Sequence, residues 1–156
     1  MTDPDRLRLA AIDEEDLAVV SAHVQDAVLK VGDMIYLPQE RRFALAMNRF
    51  IWEKAGDGKR RDFERRRTAL TFDRVSKVRT HKIDRDRPEA VLELLAVRFA
   101  ATDSPAGQVS LVFAGGAAVE IDIEVIEVRL ADLGAAWATR AKPAHDLAGS
   151  ETKPRV

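Results

Sequence analysis

The sequence predicts an α+β fold, an N-terminal helix followed by about seven mostly antiparallel strands that form a curled sheet or roll. Three observations predict it. Only one stretch, "IDEEDLAVVSAHVQDAV", repeats apolar residues at clear helical spacing. After it, period-two alternation recurs in short runs separated by turn signals. The alternating helix and strand patterns that a parallel α/β sheet needs do not occur.

In chain order, Asp13 is placed to cap the helix, with Glu14, Glu15 and Asp16 in the first turn, where the helix dipole favours acids. Leu17, Val20, Val24 and Val28 share one face. The helix is expected to end near Ala27, where "LKVGDMIYLP" changes to a strand pattern that Pro38 closes. In "RRFALAMNRFIWE", Phe43, Leu45, Met47 and Arg49 alternate with Arg42, Ala44, Ala46 and Asn48. Phe50 and Trp52 then take the other parity, which predicts a β-bulge or strong bend. "AGDGKRRDFERR" reads as a loop broken at Gly56-Asp57-Gly58. "TALTFDRV" reads as a strand with Leu70 and Phe72 inward, continuing less regularly through Val75 and Val78 to Ile83.

"DRDRP" is a turn. "EAVLELLAVRFA" fits a helix by its Ala, Leu and Glu content and a strand by its alternation; we read a strand, because plain strands follow and an antiparallel meander joins them with short connections. "TDSPAG" is a loop, and "QVSLVFAGGAAVEIDIEV" a hairpin: strand to Phe113, turn at Gly115-Gly116, strand from Ala118. "LADLGAAW" is expected to add a helical turn. A single globular domain is expected over residues 1–142, with 143–156 a flexible polar tail. The roll is similar to pleckstrin-homology-like scaffolds.

At 156 residues and 46% hydrophobic, the chain can bury a core without staples. The absence of cysteine excludes disulfides, thiolate catalysis and cysteine metal sites. "MTDPDRLRLA" lacks the apolar core of a signal peptide, and no apolar run approaches the roughly 18–20 residues of a membrane helix. The expectation is a cytoplasmic protein with no membrane partner.

A net charge of −1 conceals segregation. Residues 1–40 carry three bases and nine acids, residues 59–87 twelve bases and five acids, residues 88–134 two bases and eight acids. The densest part is "KRRDFERRR". Lys59, Arg60, Arg61, Arg65, Arg66 and Arg67 are candidate contacts to phosphates or a partner, with Phe63 able to stack on a base. The competing reading is a solvated hairpin tip whose arginines pair with acids of the same chain.

No catalytic, cofactor-binding or metal residue is assigned, and no cofactor is expected. His23, His81 and His145 stand far apart and outside any ligand motif. Ser21, Ser76, Ser104, Ser110 and Ser150 lie in no nucleophile elbow, and "GGAAVE" is no phosphate loop. In "VEIDIEVIEV", Glu120, Asp122 and Glu124 alternate, so neighbouring carboxylates on a strand would lie roughly 7 Å apart, within the geometry of a dyad. But Val119, Ile121, Ile123 and Val125 make an apolar stripe on the other face, so the acids read as the wet face, with arginines opposite on a neighbouring strand. The adjacent Val125 and Ile126 predict a bulge or bend. Of the large apolar side chains, Trp52 and Trp137, the latter either locks the C-terminal segment onto the roll or anchors a partner.

"ALTFDRVSKVRTHKID", "VLELLAVRF", "VSLVFAGGAAVEIDIEVIEVRLADLGAAW" and "KPAH" together resemble a small alphaproteobacterial family of unknown function, often encoded beside histidinol dehydrogenase. The resemblance runs from the first helix to about His145 and rests on packing patterns. It implies a single-domain cytoplasmic protein and a link to housekeeping metabolism through gene context, and it assigns no activity or site residue. Three functions stay open: a non-catalytic module binding a protein partner or itself, a nucleic-acid binder acting through residues 59–67, and an enzyme or small-molecule binder with a pocket in the roll.

Overall fold

The computed structural model describes residues 6–51, 63–134 and 137–139. Among them are one α-helix and eleven strands, every pairing antiparallel, so the strands outnumber the expectation.

β1 (Arg8–Ala11) leads into α1 (Glu14–Val24). The Asp13 carboxylate accepts from Asp16 N at 2.8 Å and caps the helix as expected; Leu17, Val20 and Val24 are buried. The helix stops before Ala27. Asp26 takes a left-handed φ of 65°, and its N–H donates to Leu94 O, while Leu94 N donates to Ala27 O. Sheet pairing thus claims the backbone that a further helical turn would use.

β2 (Val28–Lys30) and β3 (Met34–Leu37) are separated by a one-turn 3-10 helix, Val31–Asp33, and a second such turn, Pro38–Glu40, starts at the expected proline. β4 (Arg42–Phe50) and β5 (Phe63–Asp73) pair without interruption from Arg42↔Asp73 to Phe50↔Arg65. The bulge expected at Phe50 is therefore absent. The parity set by Phe43, Leu45 and Met47 continues inward to Arg49, which is fully buried, while Phe50 lies on the outer side. The loop expected through Arg66 also ends earlier, since Phe63–Arg66 already belong to β5. Residues 52–62, including Trp52, lie outside the described residues.

Arg74, at φ 62°, turns the chain sharply into β6 (Val75–His81). β7 (Val91–Ala101) is the strand expected, with a register shift between Leu94 and Ala96. The shift flips its parity: Leu94 points inward before it, Val97 after it, and Leu95 is left exposed. β8 (Gly107–Phe113) and β9 (Ala118–Ile123) form the expected hairpin, with Gly115 and Gly116 at φ 82° and 85°. β10 (Val128–Asp132) and β11 (Trp137–Thr139) replace the helical turn expected at "LADLGAAW". β10 is paired by β5 on one side and β1 on the other, and buries Val128 and Leu130, which outweighs the helix propensity of Leu and Ala.

The strand order is β1-β10-β5-β4-β2-β7-β8-β9-β6, with β3 added to β4 and β11 to β5. β6 ends this path yet starts two residues after β5 stops, so the sheet must curl back towards its own middle. Three backbone bonds of 2.9–3.0 Å hold that corner: Val75 N to Arg41 O, Asp73 N to Glu127 O and Glu124 N to Arg74 O. The result is a curled, unclosed sheet around one core, which holds Leu45, Leu70, Phe72, Leu111 and Ile121 together with Leu17, Val20 and Val24 of α1. Where the register shift disturbs β7, the Ser21 hydroxyl of α1 accepts from Val97 N at 2.9 Å.

Gly107 opens β8 against Phe99 and Ala100. A Cβ there would overlap the Phe99 ring and stand 2.7 Å from Ala100 O, a backbone atom that cannot swing aside. Gly107→Ala is expected to cost about 1–3 kcal/mol, read by equilibrium urea unfolding.

Candidate functional site

The three consecutive arginines of β5 alternate across the sheet. Arg66 shares the inward side with the buried Thr68, Leu70 and Phe72 and is 2% exposed; Arg65 and Arg67 lie outward and are half-buried.

Arg66 joins a buried polar cluster centred on Asp132, at the end of β10. Arg49 on β4 donates to both Asp132 oxygens, Nε to Oδ1 at 2.9 Å and Nη2 to Oδ2 at 3.0 Å. Thr68 Oγ1 donates to Oδ1 at 2.7 Å and Leu7 N to Oδ2 at 2.8 Å. Arg66 Nε lies 3.7 Å from Oδ2, and its Nη1 donates to Gly134 O at 3.3 Å. A carboxylate enclosed by so many donors is a weak base with no open side, so the arrangement ties the segment preceding β1 to β4, β5 and β10 rather than moving protons.

On the outward side the Arg65 guanidinium stacks over the Phe50 ring at 3.7 Å, and its Nη1 donates to Asn48 O at 3.3 Å. Arg67 Nη1 donates to Asn48 Oδ1 at 3.2 Å and its Nη2 lies 3.4 Å from Asp33 Oδ1. Asp33 is on the far side of β4, so Arg67 crosses that strand at the level of Ala46, which is 3% exposed. Trp137 stands opposite Arg65 in the β5–β11 register. Phe50, Arg65 and Trp137 thus occupy one row across β4, β5 and β11, bringing together two candidates that are 72 positions apart in the chain. Lys59, Arg60 and Arg61 lie outside the described residues, as does the tail 143–156.

Beyond this row the outer face of β1, β10, β5 and β4 has a floor of small side chains: Ala10, Ala131, Ala69, Thr71 and Ala44. Arg8, Arg129, Arg42 and Arg67 rise around it. Arg42 donates to Asp73 Oδ1 at 2.7 Å and Arg129 to Asp73 Oδ2 at 3.0 Å, two guanidiniums on one carboxylate. α1 packs on the opposite, core side of the sheet. Alanine at alternate positions in "FALAMN" was the sequence signal for this floor.

On β9 the acids form the wet face, and a basic strand lies opposite as expected. Arg79 of β6 donates to both oxygens of Asp122 at 3.2 and 3.1 Å and lies 3.8 Å from Glu120, while His81 Nε2 is 3.4 Å from Glu120. The strand ends at Ile123 and bends over Glu124 and Val125; Ile126, not Val125, carries the stripe inward. Glu124 is exposed and pairs with Arg41. Among the described residues, no three His, Asp or Glu side chains are grouped to hold a metal, and no helix is long and apolar enough to cross a membrane.

Three carboxylates sit below their ordinary range. Burial pushes Asp132 up, but the hydrogen bonds from Arg49, Leu7 N and Thr68 outweigh it. Burial likewise raises Asp73, and the bond from Arg42 with the charge of Arg129 overcomes it. Asp122 is lowered by its bond from Arg79, against burial. A folded-state pKa below the unfolded one adds stability that is present above about pH 4 and is lost as pH falls through the folded values. Urea unfolding followed from neutral pH downward should show stability falling below about pH 4, with a shallower fall in Asp132→Asn.

Over residues 7–145 the sequence matches the family described as Protein of unknown function (DUF2948). No curated protein and no solved structure matches.

Proposed function

We propose that this chain, which belongs to the family Protein of unknown function (DUF2948), works as a small cytoplasmic, non-catalytic protein-interaction module. The observation that carries this reading is the outer face of β1, β10, β5 and β4. Side chains no longer than alanine or threonine let another chain approach the sheet closely, and arginine stems around them add apolar contact as well as charge. The acids that could serve chemistry support the same reading, because Asp132, Asp122 and Asp73 are each engaged by arginines. Trp137, at the end of the row with Phe50 and Arg65, remains the candidate anchor. A photo-crosslinking residue at Ala69, tested in cell lysate against one at Ser110 on the other half of the sheet, checks the proposal. Adducts are expected at position 69, are absent at 110 and disappear when Arg8→Glu and Arg129→Glu are added. No adduct at position 69 would sink it.

A second reading, binding of single-stranded nucleic acid, is favoured by the row that sets Phe50 and Trp137 on either side of Arg65 in the strand register. It is weakened by Arg66 being buried and by Arg65 and Arg67 already holding partners. Fluorescence anisotropy with single-stranded RNA at low salt decides it; an unchanged signal ends the idea.

A further inference from the structure

We infer that the occupant of the alanine-floored face is the acidic start of α1 from a second copy of the chain, an inference that rests on the interaction-module reading. The start of α1 presents the chemistry the face lacks. Glu14, Glu15 and Ala18 are exposed, Ile12 is 71% exposed and Val19 50%. Ile12 precedes the Asp13 cap and Val19 lies one turn after Glu15 on the helix, so exposed apolar residues stand before and after the acids. Glu14 and Glu15 make no ion pair among the described residues, and neither does Arg8 on the opposing surface. Arg42 and Arg129 share Asp73, and Arg42 also lies 3.9 Å from Glu40, so the cation of that face left without an ion pair among the described residues is Arg8. Among the described residues, Glu14 and Glu15 on one surface and Arg8 on the other are thus charges of opposite sign without an ion pair.

The chain cannot satisfy them by folding on itself. α1 buries Leu17, Val20 and Val24 in the core, whereas the alanine floor is the reverse side of the same sheet, so the sheet separates the two surfaces. The helix of another copy has no such barrier. The contact is small. Four strands about 4.8 Å apart and about five residues of about 3.4 Å each give a floor of roughly 300 Å². A standard interface buries about 800 Å² per partner, so the association is weak, salt-sensitive and visible only at high concentration. Because two different surfaces meet, further copies can add unless the rotation closes a ring.

Sedimentation velocity of the full chain tests this. At low salt the sedimentation coefficient is expected to rise with concentration, and at about 1 M salt, where the Debye length is about 3 Å, to stay at the monomer value. Glu14→Lys/Glu15→Lys and Arg8→Glu/Arg129→Glu should each be monomeric, since each places like charges on both surfaces. Their equimolar mixture should associate again, because helix and face are then opposite in sign in both pairings. Circular dichroism checks that each variant is folded, and Val19→Ser, which keeps the helix charges, should weaken wild-type association on its own. A wild-type chain that stays monomeric at low salt, a mixture that does not associate, or self-association that survives both charge variants each overturns the assignment. If the chain is monomeric but Ala69 crosslinks to another protein, only the second copy is wrong; if no crosslink forms at all, the interaction-module reading falls with it.

Discussion

Asp132→Ala is expected to lower the unfolding free energy by about 3–5 kcal/mol, the usual cost of leaving a buried charge without its partner. The guanidinium of Arg49, fully buried, would lose both bonds to the carboxylate while keeping its bond to Phe50 O. Leu7 N and Thr68 Oγ1 would lose an acceptor at the same moment. The pair need not be net stabilising against an apolar replacement, because taking both charges out of water is costly. The double variant Arg49→Met/Asp132→Leu is therefore expected to recover much of the loss, and a double-mutant cycle by urea unfolding would show coupling of about 1 kcal/mol or more. A loss below about 1 kcal/mol in the single variant would mean that water reaches the cluster, contrary to its burial.

Replacing the three arginines of β5 one at a time should give sharply unequal results. Arg66→Ser removes a large buried side chain and its bond to Gly134 O, and is expected to cost about 2–4 kcal/mol. Arg65→Ser and Arg67→Ser act at the half-exposed outer face, where such contacts contribute about 0–1 kcal/mol. The same three proteins, melted in parallel, give the answer, and equal losses at all three positions would refute the alternation. A binding test must then use Arg65 and Arg67 alone, since any variant that includes Arg66 confuses lost binding with lost folding.

The part of this architecture that was legible in the sequence is the part that local rules govern. The Asp13 cap, the buried face of α1, the Gly115-Gly116 hairpin and the alternation of β9 are set by residues within about four positions of one another. Even the Arg79 bridge to Asp122 was legible as chemistry, because a strand with one acidic face needs a basic neighbour. The candidate site was legible only in pieces. Arg65 and Trp137 each stood out, but nothing in the chain says that β11 returns to pair with the start of β5.

The misreadings have the opposite cause. Arg49 looked like the polar end of an apolar face, and Phe50 and Trp52 like the resumption of the core. The partner that makes Arg49 an inward residue is Asp132, 83 positions away. "LADLGAAW" looked helical because Leu and Ala favour helices, yet β1 and β5 supply β10 with a hydrogen-bonding neighbour on each side, and such pairing overrides a propensity of a few tenths of a kcal/mol per residue.

By itself the sequence determined the class of the fold, the face each well-patterned segment buries and the separation of acidic from basic stretches, because backbone period and capping are short-range interactions. Only the tertiary structure decided which arginine of "RRR" is enclosed, which carboxylate encloses it, and that Phe50, Arg65 and Trp137 share a row beside an alanine floor. Those outcomes depend on strand register and on which distant strands become neighbours, and burial, not residue type, then sets whether a charge works as a structural tie or a contact surface.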